Sequence, residues 1–415
     1  IQTLSREDNL KAFSKDFFDY ILIDEVHKAG ADSYKKVMGH FTPNFYLGMT
    51  ATPERTDGQN IYEIFDYNIA YEIRLQDALE NDMLCPFVYF GVKDIEIDGQ
   101  LIDEKSNISN LTSDERVKHI LNKIDFYGVC NNQVRGLIFC SSKAEARELS
   151  IKLNQHGKRT IALTGDDDIN YREKVVKQLE DGELEYILTV DIFNEGIDIP
   201  SVNQVVMLRN TQSSIIFVQQ LGRGLRKHKS KDYVTIIDFI GNYKNNYLIP
   251  IALFGDKSMN KDNYRRELRE PNILSGLTTV NFEEVAKEQI FKSITNTVLS
   301  NMKILKDAYT DLENKLGRTP MLIDHLTFDN IDPIVFFNNN SFKNYADVIN
   351  KFSNKSIELT DAESNWLSFI TFELLPGKRK HELLLLQELI KNGEVSKDKF
   401  IEILETEQLS TKDSI

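Results

Sequence analysis

The chain has 415 residues, 41% of them hydrophobic and 27% charged, which is ordinary for soluble globular protein and enough for roughly two to four domains with their own cores. Lys and Arg total 50 against 64 Asp and Glu, and the resulting net charge of −14 argues against a protein that coats nucleic acid indiscriminately, though not against a local basic groove. No apolar run reaches bilayer-spanning length and no signal peptide opens the chain, so a cytoplasmic protein with no membrane partner is expected.

Residues 17–23 (FFDYILI) form an aromatic and β-branched run that predicts a buried parallel strand, ending in Asp24, Glu25, Val26 and His27. Open α/β sheets bind ligands at the carboxyl edge of their strands. An Asp there can hold Mg2+ and a neighbouring Glu can position a water against a γ-phosphate, although an acidic pair at that place also reads as a solvated turn. A second strand at 45–49 leads into Thr50, Ala51, Thr52 and Pro53, small hydroxyl residues that relay hydrogen bonds or merely turn the chain. Residues 69–75 (IAYEIRL) read as the last strand of this lobe. A short helix, a breaker at Pro86 and another strand are expected over 76–89, then a polar connector to about 115 and a helix over 113–127.

From there strand and helix alternate. Strands are expected at 135–140, 159–163, 186–190, 204–208 and 233–239, with helices at 142–156, 169–180 and 213–221, a pattern that implies a parallel sheet with right-handed crossovers. Beyond 241 the helical period takes over, at 282–316, 342–352, 361–374 and 380–391. The expected organisation is therefore α/β: a first lobe at 1–75, a connector at 76–128, a second lobe at 129–241 and an all-helical domain at 242–415. Cys85, Cys130 and Cys140 follow no paired or metal-ligand spacing and read as reduced, structural thiols.

The most informative stretch is 189–226. It sets an acidic turn (Glu195, Gly196, Ile197, Asp198) after a strand, and Gln219, Gly222, Arg223 and Arg226 after a helix. Arginines three apart share a helix face and can be presented together to a polyanion such as a triphosphate.

With Asp24-Glu25-Val26-His27, Thr50-Ala51-Thr52-Pro53, Glu195-Gly196-Ile197-Asp198 and Gln219-Gln220-Leu221-Gly222-Arg223-Gly224-Leu225-Arg226 in this order, the sequence resembles superfamily 2 helicases and translocases of DEAD/DEAH-box type, and among them restriction-enzyme motor subunits. The resemblance spans residues 1 to about 240. It implies two RecA-like doubly wound parallel-sheet lobes, the first truncated, ahead of the helical domain. It also implies ATP and Mg2+ as cofactors and DNA, gripped without regard to sequence, as partner. On it Asp24 and Glu25 are the Mg2+ and water-activating residues, and His27 couples them to Gln219. Glu195, Gly196, Asp198 and Gly222 belong to the nucleotide side, while Arg223 and Arg226 reach the γ-phosphate. Gln2, Thr3, Thr50, Thr52, Ser141, Thr164, Gly165 and Thr189 fall where such proteins touch the strand, though Thr164 and Gly165 also read as a plain strand-ending turn.

One departure stands out: no Gly-x-x-Gly-Lys-Ser/Thr phosphate loop occurs in the 415 residues, where Gly157-Lys158 and Gly377-Lys378 both continue as Arg. Since the chain opens at Ile1 inside a motif, it reads as the later part of a longer polypeptide, an ATPase as a whole but inactive or nearly so from these residues alone. The tail resembles, more loosely, a domain of unknown function that follows the helicase core in bacterial proteins carrying a nuclease at the other end. The resemblance rests on Leu316-Gly317-Arg318-Thr319-Pro320 and residues 375–382, whose Lys378, Arg379 and Lys380 suit a phosphate backbone or plain solvation. A nuclease domain or subunit upstream is thus a further expected partner. Two other readings remain open at this point: a catalytically inactive helicase-like scaffold, and an RNA helicase.

Overall fold

The computed structural model describes residues 1–26, 32–50, 60–97, 99–103, 105–190, 199–209, 222, 225–269, 278–377 and 380–411. They group into two units, one made of Ile1–Asn68 with Leu299–Ile415, the other of Ile69–Val298.

In the first unit β1 (Tyr20–Ile23) pairs in parallel with β2 (Phe45–Gly48), in the register Tyr20 to Phe45 through Ile23 to Gly48. One face packs inward through Ile23, Val26 and Ile61, with a second apolar cluster at Leu10, Val37 and Phe41. The other side leaves Tyr20 at 68% and Leu22 at 61% exposed. Gly48 lies so close under the Phe65 ring that a Cβ there would sit 2.5 Å from it, so β2 ends on a glycine for want of space. The tail of the chain completes this unit. Helix Met302–Leu316 stops at Gly317, whose left-handed φ of +64° ends the helix in a conformation glycine adopts without strain. Beyond it His325 is buried between Asn330 and Tyr345, and burial holds its imidazole below the usual histidine range. The helix Asp361–Phe369 opens on a Thr360/Glu363 capping box and continues as a π-turn over Ile370–Leu374.

The second unit is built on one sheet. Its strands are β3 (Phe87–Lys93), β6 (Gly136–Phe139), β7 (Thr160–Leu163), β8 (Tyr186–Thr189), β9 (Gln204–Met207), β10 (Val234–Ile240) and β11 (Thr279–Phe282), after a small hairpin of β4 (Glu96–Ile97) and β5 (Gln100–Leu101). The order is β11-β3-β10-β9-β6-β8-β7 and every pairing in it is parallel. Strands β6, β8, β9 and β10 are buried at every residue, as continuous apolar runs in a sheet covered on both faces should be. Helices Asp114–Tyr127, Lys143–Gln155 and Ile169–Glu180 follow the expected spans within one residue, each behind a side-chain N-cap, Ser113, Ser142 and Asp168.

Two expectations fail here. Residues 69–74 form no strand: Ile69, Tyr71 and Ile73 are exposed, and no strand among the described residues pairs with this segment. The helix Leu75–Glu80 follows directly. The strand expected after Pro86 is present as β3, but it runs on to Lys93 as an interior strand of the sheet and not as part of a connector, and β11, in a stretch expected to be wholly helical, lies beside it at the edge. The expected helix at 213–221 lies outside the described residues. Among the described residues no helix is long and apolar enough to cross a membrane.

One buried cation ties the carboxyl ends of these strands together. Arg116 is wholly enclosed, with Nε and Nη2 donating to Asp94 at 3.2 and 2.8 Å, Nη1 to Glu145 at 2.7 Å and to the Leu111 carbonyl at 2.9 Å, and Nη2 to the Leu208 carbonyl at 3.3 Å. Asp94 follows β3, Leu208 follows β9, and Glu145 sits in the first turn of the helix after β6. Burial works against this charge, but the two carboxylates outweigh it and hold the guanidinium protonated above its usual value. A second buried polar pair lies within the sheet, where the Tyr89 hydroxyl donates to Asp238 at 2.5 Å. Burial raises the Asp238 carboxyl to about 7, against the hydrogen bond from Tyr89.

Two outcomes follow for stability. Arg116→Met leaves Asp94 and Glu145 buried without their cation and should destabilise the second unit by roughly 3–5 kcal/mol, read as a lowered urea midpoint. Folded Asp238 keeps a proton that the unfolded chain releases between the ordinary value of 3.8 and about 7, so it makes stability fall as pH rises through that window. Asp238→Asn should remove that fall, on the order of 4 kcal/mol, so that midpoints at pH 5 and pH 8 draw together.

Candidate nucleotide and nucleic-acid site

The first unit delivers its acids where two parallel strands end. The Met49 N–H donates to the Ile23 carbonyl and the Val26 N–H to the Met49 carbonyl, both at 2.9 Å, so the turn after β1 and the turn after β2 are stitched side by side. Asp24 and Glu25 occupy the first turn and Thr50 the second. The Glu25 N–H donates to Asp24 Oδ1 at 2.9 Å, and Glu25 takes a φ of +50°, an uncommon conformation for a residue with a side chain. Asp24 is exposed, while Glu25 and Thr50 are half-buried. A cavity of about 330 Å³ opens beside β1, but Leu4, Tyr20, Leu22, Val37 and Phe41 line much of it, a wall suited to apolar groups and not to phosphate.

The sequence-expected residues at the start of the chain, Gln2 and Thr3, are exposed, and their carbonyls accept from Ser5 Oγ at 3.0 Å and Asn9 Nδ2 at 2.6 Å. His27, Thr52, Glu195, Gly196, Asp198, Gln219 and Arg223 lie outside the described residues.

At the carboxyl edge of the second unit's sheet the strand-end hydroxyls are engaged to different degrees. Ser141 follows β6, but its N–H and its hydroxyl both donate to Glu145 Oε2, at 2.7 and 2.5 Å. Thr164 follows β7, is buried, and gives its N–H and hydroxyl to Asp167 Oδ2 at 2.6 and 3.2 Å. Thr189 is buried at the end of β8, its hydroxyl with no hydrogen-bond partner among the described residues. Thr164 and Thr189 are turned into the fold, whereas Ser141 is exposed despite its bonds to Glu145, as is Gly165, whose carbonyl accepts from Arg172 at 2.9 Å. Arg226 is exposed too, anchored by Leu225, which is buried and whose carbonyl accepts the Cys85 N–H at 2.7 Å. Gly222 is half-buried with open space where a Cβ would stand. Arg209 Nη1 donates to the Val190 carbonyl at 3.2 Å, joining the ends of β8 and β9.

A divalent cation is tested by the donors available. Among the described residues no group of three or more His, Cys, Asp or Glu is placed to hold one. One exposed carboxylate with a second beside it suits a hard cation that shares its coordination with water and substrate phosphate, so Asp24 and Glu25 fit that role. Sequence reasoning missed Arg116, which looks like any cation on an amphipathic helix, and it missed Lys143 and Arg147. Their signal was present as two cations one helical turn apart directly after Ser141.

Three family models match the chain: the type III restriction enzyme res subunit over residues 1–55, the helicase conserved C-terminal domain over 115–228, and a domain of unknown function, DUF8090, over 305–414. Among curated relatives, IRC3 of Saccharomyces cerevisiae, whose name proposes an ATP-dependent helicase, is 29% identical over 256 residues, 58% of this chain and 36% of that protein. The type I restriction enzyme EcoAI endonuclease subunit of Escherichia coli is 27% identical over 272 residues, 56% of this chain and 33% of that one. The DNA 3'-5' translocase XPB2 of Sulfurisphaera tokodaii is 25% identical over 262 residues, covering 53% and 58%. Among solved structures, the ATP-dependent type ISP restriction-modification enzyme LlaBIII bound to DNA aligns over 96% of this chain and 33% of its own, at 18% identity and a TM-score of 0.47. The chain thus spans about a third of the first curated relatives it matches. In order along the chain these segments are similar to a restriction-enzyme res subunit, a helicase C-terminal domain and a domain of unknown function, the arrangement of a superfamily 2 helicase- or restriction-motor-like polypeptide.

Proposed function

We propose that this chain belongs to an ATP-dependent helicase or translocase that moves on DNA and contributes to it the water-activating carboxylates and the arginines. The observation that carries the reading is the hydrogen-bonded stitch that sets Asp24 and Glu25 beside Thr50 at one carboxyl edge. The names of the relatives, a helicase, a restriction-enzyme subunit and a translocase, bring ATP-driven movement on DNA to this chain.

In this reading Asp24 carries Mg2+ and Glu25 orients the attacking water, the left-handed turn at Glu25 fixing its direction. When bound, ATP supplies the phosphoanhydride whose cleavage drives movement. Arg223 and Arg226 meet the charge that develops on the γ-phosphate, Gln219 and His27 join the two sets of residues, and Asp198, with Glu195 and Gly196, faces the ribose or its phosphates. Thr50 and Thr52 relay the nucleotide state toward the strand. DNA is held through its phosphates, so affinity falls with salt and varies little with sequence. The phosphate cradle is supplied by sequence other than these 415 residues, and a nuclease domain or subunit is the expected companion. Without the cradle the β- and γ-phosphates lose backbone amides and a lysine, so these residues alone turn ATP over little or not at all.

The full-length protein should hydrolyse ATP faster with single-stranded or duplex DNA than with RNA, and Glu25→Gln should lower that rate roughly 10²- to 10⁴-fold. The 415-residue chain should show no DNA-stimulated turnover above that of its own Glu25→Gln variant. A full-length protein whose turnover is flat with DNA and RNA alike would leave only the scaffold reading standing.

A further inference from the structure

Two of the residues expected to hold a strand at the second unit's sheet edge already give their donors to neighbouring acids. Ser141 gives both to Glu145 and Thr164 gives both to Asp167. Two cations beside them are exposed: Lys143, the first residue of the helix Lys143–Gln155, and Arg147, one turn further along the same face. Both reach to a single carboxylate in the loop after β7. Lys143 Nζ donates to Asp166 Oδ1 at 2.6 Å and Arg147 Nη2 to Asp166 Oδ2 at 3.3 Å, while the same Arg147 nitrogen stands 3.3 Å from Thr164 Oγ1.

The three aspartates of this loop do different things. Asp167 holds Thr164, and Asp168 caps the helix Ile169–Glu180 by accepting the Tyr171 N–H at 3.0 Å. Asp166 bonds instead to the two cations. A carboxylate and a backbone phosphate present the same face to an ammonium and a guanidinium, a negative charge with two acceptor oxygens. With Asp166 57% exposed and its partners about as open, the self-contact adds little to stability and exchanges readily for another anion.

We propose that Lys143 and Arg147 grip the backbone phosphates of a nucleic-acid strand and that Asp166 is a built-in competitor, holding both cations until the strand displaces it. This rests on the reading of the chain as a nucleic-acid motor and adds to it which side chains of the second unit make the contact and what restrains them. Lys143 first, then Arg147, hold the Asp166 carboxyl below the usual range, so it stays ionised at neutral pH, and release is by polyanion or salt.

The test is fluorescence anisotropy of the 415-residue chain with a labelled single-stranded DNA and the matching RNA across a salt series. Asp166→Asn should tighten binding roughly two- to fivefold, the size of an exposed ion pair released. Glu115→Gln, the same charge change on another exposed acid, should change it less. Lys143→Gln combined with Arg147→Gln should weaken binding and flatten the plot of log affinity against log salt by about 1.4, two contacts on a single strand. All of these positions are on the surface, so unchanged melting accompanies the expected result. The inference is overturned if Asp166→Asn binds no tighter than Glu115→Gln, or if the double variant keeps the parent's salt slope. If neither the unaltered chain nor Asp166→Asn binds DNA or RNA in a salt-dependent way, the motor reading falls together with it. Parent binding with unmoved variants removes this inference alone.

Discussion

A guanidinium sealed from water is tolerable only if every donor is answered, and Arg116 makes that requirement the organising condition of the second unit. Its partners come from the ends of β3 and β9 and from the helix after β6. Because all strands of this sheet run the same way, those ends share one edge, and the cation fixes their relative heights. Glu145 carries the constraint one step further, since the carboxylate that answers Arg116 also takes both donors of Ser141. Arg209 extends it sideways by tying β9 to β8.

The first unit solves a smaller version of the same problem with backbone alone. Two hydrogen bonds between adjacent turns, and a glycine that lets Phe65 lie against β2, are enough to set a pair of acids beside a threonine. The cost is local strain at Glu25, whose left-handed backbone persists because Val26 is locked to Met49 immediately afterwards.

Much of this was legible in the residues, and the failures have physical causes. Strands β6, β8, β9 and β10 announce themselves as mainly apolar, β-branched runs because they are covered on both faces, and the caps Ser113, Ser142 and Asp168 mark their helices. IAYEIRL alternates like a strand, but alternation records only which side chains are apolar, and no strand among the described residues pairs with this segment. Strand β11 was invisible because four residues carry too little pattern to stand out before a long helical stretch. At the site, Asp24 and Glu25 are legible as a candidate pair because strand and acids are contiguous. The partners of Ser141 and Thr164 were less legible, because a hydroxyl at a strand end looks available until the acid four or three residues later is seen to accept from it. That spacing, Ser-x-x-x-Glu and Thr-x-x-Asp, was itself in the sequence.

The first unit is assembled from two segments far apart in the sequence, residues Ile1–Asn68 and Leu299–Ile415, with the whole second unit between them. During synthesis the opening strands therefore emerge long before the helices that complete their unit, with Tyr20 and Leu22 open to other apolar surfaces in the interval. Joining them closes a loop of more than two hundred residues, whose entropic toll is eased once the intervening sheet has already condensed. A middle segment that condenses on its own thus shortens the stretch of loose chain that the flanking segments must close.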